Sequence, residues 1–214
     1  MLLRVVSTSR SLLRGPTTLS PRRRGFNRRP LLASIAPSTL PGVIRIVALL
    51  GNPGSDYRQT RHNISWIFGD YCGWGEGDWR TRWGAKSRDV IIAGRSVHLV
   101  KPQNFMNRIG ESLARYYKMA ESELLVVHDD VEIPFGEVRM KQGGGLAGHN
   151  GLRSLSDRVG SREFRRLRIG IGRPSRGSIS SYVLGQFSLS EASRFPDIFD
   201  AARTLLESAI TAGA

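Results

Sequence analysis

The sequence is poor in the residues that form disulfides and metal clusters. Cysteine occurs once, at Cys72, which excludes an intramolecular disulfide and a Cys-rich zinc cluster. The four histidines show no His-Glu-x-x-His or similar ligand spacing, so we expect no metal and no cofactor. Apolar runs are also short. None approaches the ~20 residues of a membrane-spanning helix, so we expect no membrane association.

Acidic residues are absent from the first 55 positions, since Asp56 is the first one in the chain. Residues 1–40 are rich in Arg, Ser, Thr, Leu and Pro, which is the composition of an organelle transit peptide. We therefore predict a disordered transit peptide over 1–40. The opening Met-Leu-Leu-Arg-Val-Val fits a short amphipathic helix and favours the mitochondrial matrix over the plastid stroma. A basic arm that binds RNA directly is the alternative.

The folded domain is predicted over 43–214, and its charge is moderate. The whole chain of 214 residues carries +14, but nine arginines precede Asp56, and removing them from +14 leaves +5 for the remainder. An excess of positive charge is typical of proteins that bind phosphate-bearing partners. The length and a hydrophobic content of 40% suit one soluble domain with its own core.

Apolar runs bounded by turn residues predict the strands, and amphipathic segments predict the helices. The predicted strands are 43–50, 89–93, 96–100, 124–130, 138–141 and 166–172, with Gly94-Arg95 as a hairpin turn. The predicted helices are 64–74, 107–119, a segment ending near 159, and 189–210 with a break at Pro196. This order predicts an α/β fold, a single domain with a twisted mixed β-sheet flanked by helices on both faces.

A polar loop follows the first predicted strand. Gly51-Asn-Pro-Gly54 breaks the strand, and the loop then carries Tyr57 and His62. Loops at the ends of buried strands commonly hold sites in α/β proteins. Only the imidazole titrates near neutral pH, so His62 is the candidate general base. The alternative is a polar turn before a helix, with His62 merely solvated.

The glycine-rich segment Gly143-x-Gly145-x-x-Gly148 formally matches the dinucleotide-binding fingerprint. We reject that interpretation because the preceding strand is short and half-polar, and because no acidic residue ends a second strand about 20 residues later. We predict instead that the glycines allow a tight turn that brings His149 and Asn150 to a cleft.

Amide, imidazole and carboxylate side chains stand at the predicted ends of elements from separate segments. They are Asn52, His62, Asn107, Asp129 and Asn150. An Asp beside a His fixes the imidazole tautomer, and amide N–H groups stabilise a developing oxyanion. Because no Gly-x-Ser-x-Gly elbow is present, the set favours attack by a His-activated water. Singly, each residue also has a structural explanation, such as a helix cap or an ion pair of Asp129 with Arg139.

Five motifs occur together in one order. They are Gly-Asn-Pro-Gly…Tyr…Thr-Arg-His-Asn, Lys-Pro…Phe-Met-Asn…Gly, Val-His-Asp-Asp…Pro-x-Gly, Gly-Gly-Gly…Gly-His-Asn-Gly-Leu and Arg-Leu-Arg-Ile-Gly-Ile-Gly-Arg-Pro. Over about Ile44 to Phe187 the chain resembles the bacterial-type peptidyl-tRNA hydrolases.

The resemblance implies a metal-independent, monomeric enzyme that cleaves the ester between a stalled peptide and the tRNA 3′ end and so recycles tRNA in organelle translation. It implies a catalytic set of His62 as general base, Asp129 as its orienting partner and Asn52 beside the ester. The residues implied to line the cleft for the peptide and the 3′ nucleotide are Tyr57, Phe105, Met106, Asn107 and Asn150. Lys141 and Arg168 match the basic pair that holds the tRNA 5′ phosphate.

The sequence departs from the family pattern on the substrate side. Asn104 stands where the family usually has Thr, Arg108-Ile109 interrupts an expected x-Ser, and Leu146-Ala147 replaces a His-Gly pair. A plastid intron-splicing factor also resembles this family, so a non-catalytic RNA-binding protein is the alternative function. Such a protein should lose the polar cleft residues, which this sequence keeps.

Overall fold

The computed structural model describes residues 43–119 and 123–212, so the predicted transit peptide lies outside the described residues. The strands within these ranges are β1 (Ile46–Leu49), β2 (Arg80–Arg82), β3 (Ala85–Ile92), β4 (Arg95–Pro102), β5 (Leu124–Asp130), β6 (Val138–Gln142) and β7 (Arg165–Gly170). The helices are α1 (Ile64–Tyr71), α2 (Gly110–Met119), α3 (Asn150–Val159), α4 (Ile179–Val183), α5 (Leu189–Ala192) and α6 (Phe195–Ala212). None of the described helices is both long and apolar enough to span a membrane.

All the strands join one mixed sheet in the order β2-β3-β4-β1-β5-β7-β6. The four central strands β4, β1, β5 and β7 are parallel, whereas β2, β3 and β6 pair antiparallel at the two edges. The predicted α/β fold with a mixed sheet is confirmed. Because β1 lies between β4 and β5, the loops that follow these three strands meet at one edge of the sheet, where α/β folds bind ligands.

Helices cover both faces of the sheet, as the alternation of side chains in β1 requires. Val47 and Leu49 pack with residues of α1 and α6 on one face. Ile46 and Ala48 pack with residues of α2 and α3 on the other. β5 is buried over its whole length, which matches its apolar run Leu-Leu-Val-Val, and it ends in the polar residues His128, Asp129 and Asp130. The two cores hold β1 and β5 rigidly, and these strands carry the site.

Several predicted boundaries were wrong, since β3 begins at Ala85 and not at 89, and α2 begins at Gly110 and not at 107. The hairpin turn is Ala93-Gly94, with φ of 49° and 75°, so that β4 begins at Arg95. Helix α1 ends at Tyr71 because Gly73 adopts the left-handed conformation that terminates helices. Pro196 does not break the last helix but is the second residue of α6, where its missing N–H has no helical partner to lose. The break lies between α5 and α6.

Candidate active site

A pocket of about 710 Å³ opens at the carboxyl ends of the central strands. All eight residues predicted for catalysis and for contact with the peptide and 3′ nucleotide line it, namely Asn52, Tyr57, His62, Phe105, Met106, Asn107, Asp129 and Asn150. They come from the loops after β1 and β4, from the end of β5 and from the start of α3. The sheet topology thus gathers residues that are up to about 100 positions apart.

His62 and Asp129 form a buried hydrogen-bonded pair. His62 lies in a 3₁₀ turn, Arg61–Asn63, just before α1, and its Nδ1 is 2.8 Å from Oδ1 of Asp129 at the end of β5. Their side chains are 7% and 2% exposed. Burial raises the pKa of Asp129, but its contacts with His62 and His149 outweigh burial and hold that pKa well below its usual range. An ionised Asp129 keeps the proton on Nδ1 of His62, which leaves Nε2 as the basic nitrogen.

Asn52 is held in one orientation by the backbone. Its Oδ1 accepts a hydrogen bond of 2.8 Å from the N–H of Met106, so its Nδ2 group remains to donate. Asn63 fixes the Asn52 backbone on both sides, accepting from its N–H at 2.8 Å and donating to its carbonyl at 2.9 Å. The buried Asn52 therefore presents an oriented amide donor to the pocket that His62 also lines.

Part of the remaining lining is apolar. The ring of Tyr57 meets that of Phe105 edge to face at 5.8 Å between centroids, and Phe105 is 52% exposed. The wall at α4 is largely apolar, since Ile179 and Val183 of the helix and the following Leu184 line the pocket. A substrate with an apolar portion and a carbonyl group suits this combination of an apolar wall and a polar floor.

The family model for peptidyl-tRNA hydrolase matches residues 46–214. The chain belongs to this family. The peptidyl-tRNA hydrolase of Geotalea daltonii is 41% identical over 184 residues, covering 77% of this chain and 88% of the relative. That of Treponema pallidum is 42% identical over 179 residues, covering 76% and 85%. A crystal structure of peptidyl-tRNA hydrolase from Acinetobacter baumannii superposes with a TM-score of 0.71 at 34% identity, covering 78% and 89%.

The basic pair predicted from the peptidyl-tRNA hydrolase pattern lies next to the pocket, outside its lining. Lys141 in β6 and Arg168 in β7 are on neighbouring strands, and Arg168 forms an ion pair of 2.7 Å with Asp130, which does line the pocket. Burial lowers the pKa of Lys141, and the nearby charges of Arg166 and Arg168 lower it further. The crowding of positive charge is consistent with an anion-binding surface.

Sequence reasoning missed Arg166, which organises the glycine-rich loop. Its buried guanidinium donates to the carbonyl oxygens of Gly143, Gly144 and Gly145. A clue was available in the alternation of β7, which places Arg166 and Arg168 on one face. The loop therefore connects the basic surface to the pocket, which its later residues Ala147 and Gly148 line.

Arg61 was also missed, although it adjoins His62. Its guanidinium lies over the rings of Tyr182 and Phe187 at 4.3 and 5.1 Å and bonds both carboxylate oxygens of Glu191 at 3.0 and 2.9 Å. These contacts fasten α4, one wall of the pocket, to the loop that carries His62. Because the partners are more than 100 residues away in the chain, no local pattern signalled them.

The side chains of His62, Asp129 and His149 offer nitrogen and oxygen atoms within 4.8 Å of one another, which is a spacing compatible with a cation. The two shortest separations, 2.8 and 3.0 Å from Asp129 Oδ1 to the two rings, are hydrogen-bond distances. The backbone N–H groups of Gly151 and Leu152 point at Nδ1 of His149, so its proton resides on Nε2. In this arrangement Nε2 has no lone pair for a metal.

Proposed function

We propose that the protein hydrolyses the ester bond between the peptide and the 3′ end of tRNA in peptidyl-tRNA. The single observation that carries this proposal is the buried His62–Asp129 pair, 2.8 Å apart, with the oriented amide of Asn52 in the same pocket. Membership of the peptidyl-tRNA hydrolase family supports the choice of substrate.

The reaction follows from the roles these groups are placed to play. Nε2 of His62 takes a proton from a water molecule, whose oxygen bonds to the ester carbonyl carbon. Asp129 stabilises the resulting imidazolium through Nδ1. The Nδ2 group of Asn52 donates to the oxyanion of the tetrahedral intermediate. The C–O bond to the ribose then breaks, and the imidazolium returns its proton to the leaving 3′ oxygen, which frees tRNA and a peptide acid.

The substrate is held on two sides in this proposal. The peptide lies against the apolar wall formed by Tyr57, Phe105 and α4, with Asn107 and Asn150 contacting the 3′ end. Lys141 and Arg168 bind the 5′ phosphate of the acceptor stem beside the pocket. Phosphate contacts of this kind fix the position of a nucleic acid without reading its sequence.

The test is cleavage of a purified peptidyl-tRNA by the full chain, by a chain beginning at residue 41, and by His62→Ala. We expect cleavage by both chains and a loss of at least ~100-fold in rate for His62→Ala. His98→Ala is the matched control, because His98 bonds Asp89 on the β3–β4 hairpin and does not line the pocket. Binding of tRNA without any cleavage would overturn the proposal, and cleavage that survives His62→Ala would overturn the mechanism.

The proposed location is the mitochondrial matrix, where the enzyme would recycle tRNA for organelle translation. The acid-free, arginine-rich composition of residues 1–40 supports this location. Fusing residues 1–40 to a fluorescent protein should direct it to mitochondria, and fusing residues 41–214 should not. Import into plastids or retention in the cytosol would contradict the proposal.

The proposed functional unit is a monomer. Its support is that one chain supplies the whole described pocket, including the His62–Asp129 pair and both sides of its wall. Light scattering at the concentration of the activity assay should give a mass near the 23.7 kDa of the full chain. A dimer mass at that concentration would contradict this part.

A further inference from the structure

His149 makes hydrogen bonds through both of its ring nitrogens. It is the N-cap of α3, and its Nδ1 lies 3.1 Å from the N–H of Gly151 and 3.3 Å from that of Leu152. A backbone N–H can only donate, so Nδ1 must carry a lone pair. The start of α3 thereby sets the tautomer of this ring. The free N–H groups and the helix dipole at this terminus also disfavour a cation.

The other nitrogen of His149 reaches the catalytic pair. Nε2 lies 3.0 Å from Oδ1 of Asp129, the same oxygen that accepts from Nδ1 of His62 at 2.8 Å. The two imidazole rings are 4.9 Å apart between centroids, and His149 is 8% exposed. One carboxylate oxygen therefore accepts two N–H donors in a buried place, where each donor has a large effect.

We propose that His149 is a positioning residue. It is a neutral donor that the start of α3 locks in one tautomer. Because it shares Asp129 with His62, it limits how strongly that carboxylate holds a proton on His62. The inference rests on the proposed function, because it concerns the base of that reaction. Without the second donor, the undivided charge of Asp129 favours the imidazolium form of His62, which cannot act as a base.

The other charged and titratable groups near His62 do not replace this role. Asp130 is matched by Arg168 at 2.7 Å, and Arg61 is turned away to Glu191. The remaining groups of this kind are Tyr57 and Arg108 in the pocket lining and His128, which packs against His149 at 4.9 Å between ring centroids. His128 uses its Nδ1 on the carbonyl oxygen of Asp129 and does not contact the carboxylate through that atom.

Two substitutions test separately the two roles of His149, as the N-cap of α3 and as a donor to Asp129. His149→Asn keeps a side-chain acceptor at the N-cap, where Asn is favoured, but is too short to donate to Asp129. His149→Gln provides an N–H at the distance of Nε2 but is a poor cap. The matched pair therefore tests the donor and the cap independently.

The first readout is the pH profile of kcat/KM, which reports the free enzyme. For His149→Asn we expect an acidic limb moved to higher pH by up to about one pH unit, together with a lower Tm because a buried donor to Asp129 is lost. For His149→Gln we expect the limb to stay in place and the Tm to fall by about 2–4 °C. An equal loss of rate at every pH in both variants would show a merely structural role and overturn the proposal.

The second readout needs no substrate, so its failure is distinct from failure of the proposed function. ¹⁵N NMR of the ring nitrogens in the full chain should show His149 protonated at Nε2 and bare at Nδ1 near neutral pH. A ring protonated at Nδ1, or at both nitrogens, would overturn the proposal even if the enzyme cleaves peptidyl-tRNA. Observation of the expected tautomer would support it even if another ester proves to be the substrate.

Discussion

Charged side chains are paired differently in the pocket and on the adjacent basic surface. In the pocket, the side chains of His62 and Asp129 are 7% and 2% exposed, and complementary donors and acceptors surround them. On the basic surface, like charges lie side by side. β6 and β7 place Arg139 opposite Arg168 and Lys141 opposite Arg166. Like charges opposite one another destabilise a sheet. Arg139 and Arg168 are paired with Glu137 and Asp130, whereas Lys141 and Arg166 form no ion pair within the described residues.

The difference matches the two tasks proposed for these regions. Acid–base chemistry needs groups fixed before the substrate arrives, and fixed dipoles cost no reorganisation during the reaction. Phosphate binding needs positive charge that is not already neutralised, and a bound anion relieves the repulsion. Changes to the acid–base groups of the pocket should therefore affect kcat and folding, whereas changes on the basic surface should affect KM.

The largest effect is expected for Asp129→Asn in the pocket. An amide nitrogen facing Nδ1 of His62 favours the wrong tautomer, which places the proton on Nε2 and removes the base. We expect kcat to fall by about 10³-fold or more with little change in KM. Single-turnover cleavage measures the chemical step, and Asp89→Asn, which alters the exposed His98 pair, is the matched control. A kcat within tenfold of the wild type would contradict the orienting role of Asp129.

Acid sensitivity should originate behind the pocket lining, at the buried His128 next to Asp129. Burial lowers the pKa of His128 from 6.5 to about 3. The unfolded chain therefore binds a proton that the folded chain does not between these two values, so stability is lost as the pH falls from 6.5 toward 3. We expect the free energy of unfolding to drop by several kcal/mol over this range, with Asp129 and Asp130 adding to the loss toward its acidic end.

His128→Asn tests this expectation, because Asn retains an N–H for the carbonyl oxygen of Asp129 but does not titrate. Urea unfolding between pH 4 and 7 should show a shallower dependence of stability on pH in the variant than in the wild type. Parallel curves would place the acid sensitivity elsewhere.

A smaller effect is expected on the basic surface. Lys141→Ala should raise KM about tenfold for tRNA with a 5′ phosphate, because it removes one charge-assisted contact, and should leave kcat nearly unchanged. Lys141 is preferred to Arg168 for this test, since Arg168 also pairs with the pocket residue Asp130. The controls are a substrate without the 5′ phosphate and Lys86→Ala on β3 at the other side of the sheet. Equal losses with both substrates would contradict the phosphate contact.

The sequence predicted the sheet well where apolar runs were bounded by turn residues, as in β1 and β5. It missed β2 because Arg80–Arg82 has no apolar residue and all three residues are exposed. It placed the hairpin turn one residue late because nothing in the composition marks Ala93 for a positive φ. Propensity identifies which segments form strands, but the register depends on pairing across the sheet.

For the candidate site, position at the end of a strand was enough to single out Asn52 and Asp129. It was not enough to assign a role to His149, because that role depends on which backbone N–H groups surround its Nδ1. Arg61 illustrates the same limit, since its partner Glu191 is 130 residues away. The predicted residues that line the pocket lie in recognisable motifs, whereas those that hold them in place depend on tertiary contacts.

The smallest effect is expected in the glycine-rich loop that connects the two regions. Ala147, where the family pattern has Gly, adopts a φ of 50°, as Ala93 does with 49° in the distant hairpin. A left-handed φ strains Ala by roughly 1–2 kcal/mol, while Gly raises the entropy of the unfolded chain by somewhat less. We therefore expect both Ala147→Gly and Ala93→Gly to raise the free energy of unfolding, each by about 0.5–1 kcal/mol.

Only one of these two substitutions should alter function, because Ala147 lines the pocket and Ala93 does not. Ala147→Gly frees the segment between the carbonyls held by Arg166 and the start of α3, so KM should rise two- to threefold with kcat retained. Chemical denaturation and steady-state kinetics on both variants decide this. If Ala147→Gly destabilises the protein, as an Ala→Gly change does in ordinary backbone, then the loop is not strained, and the rigid connection between pocket and basic surface needs another explanation.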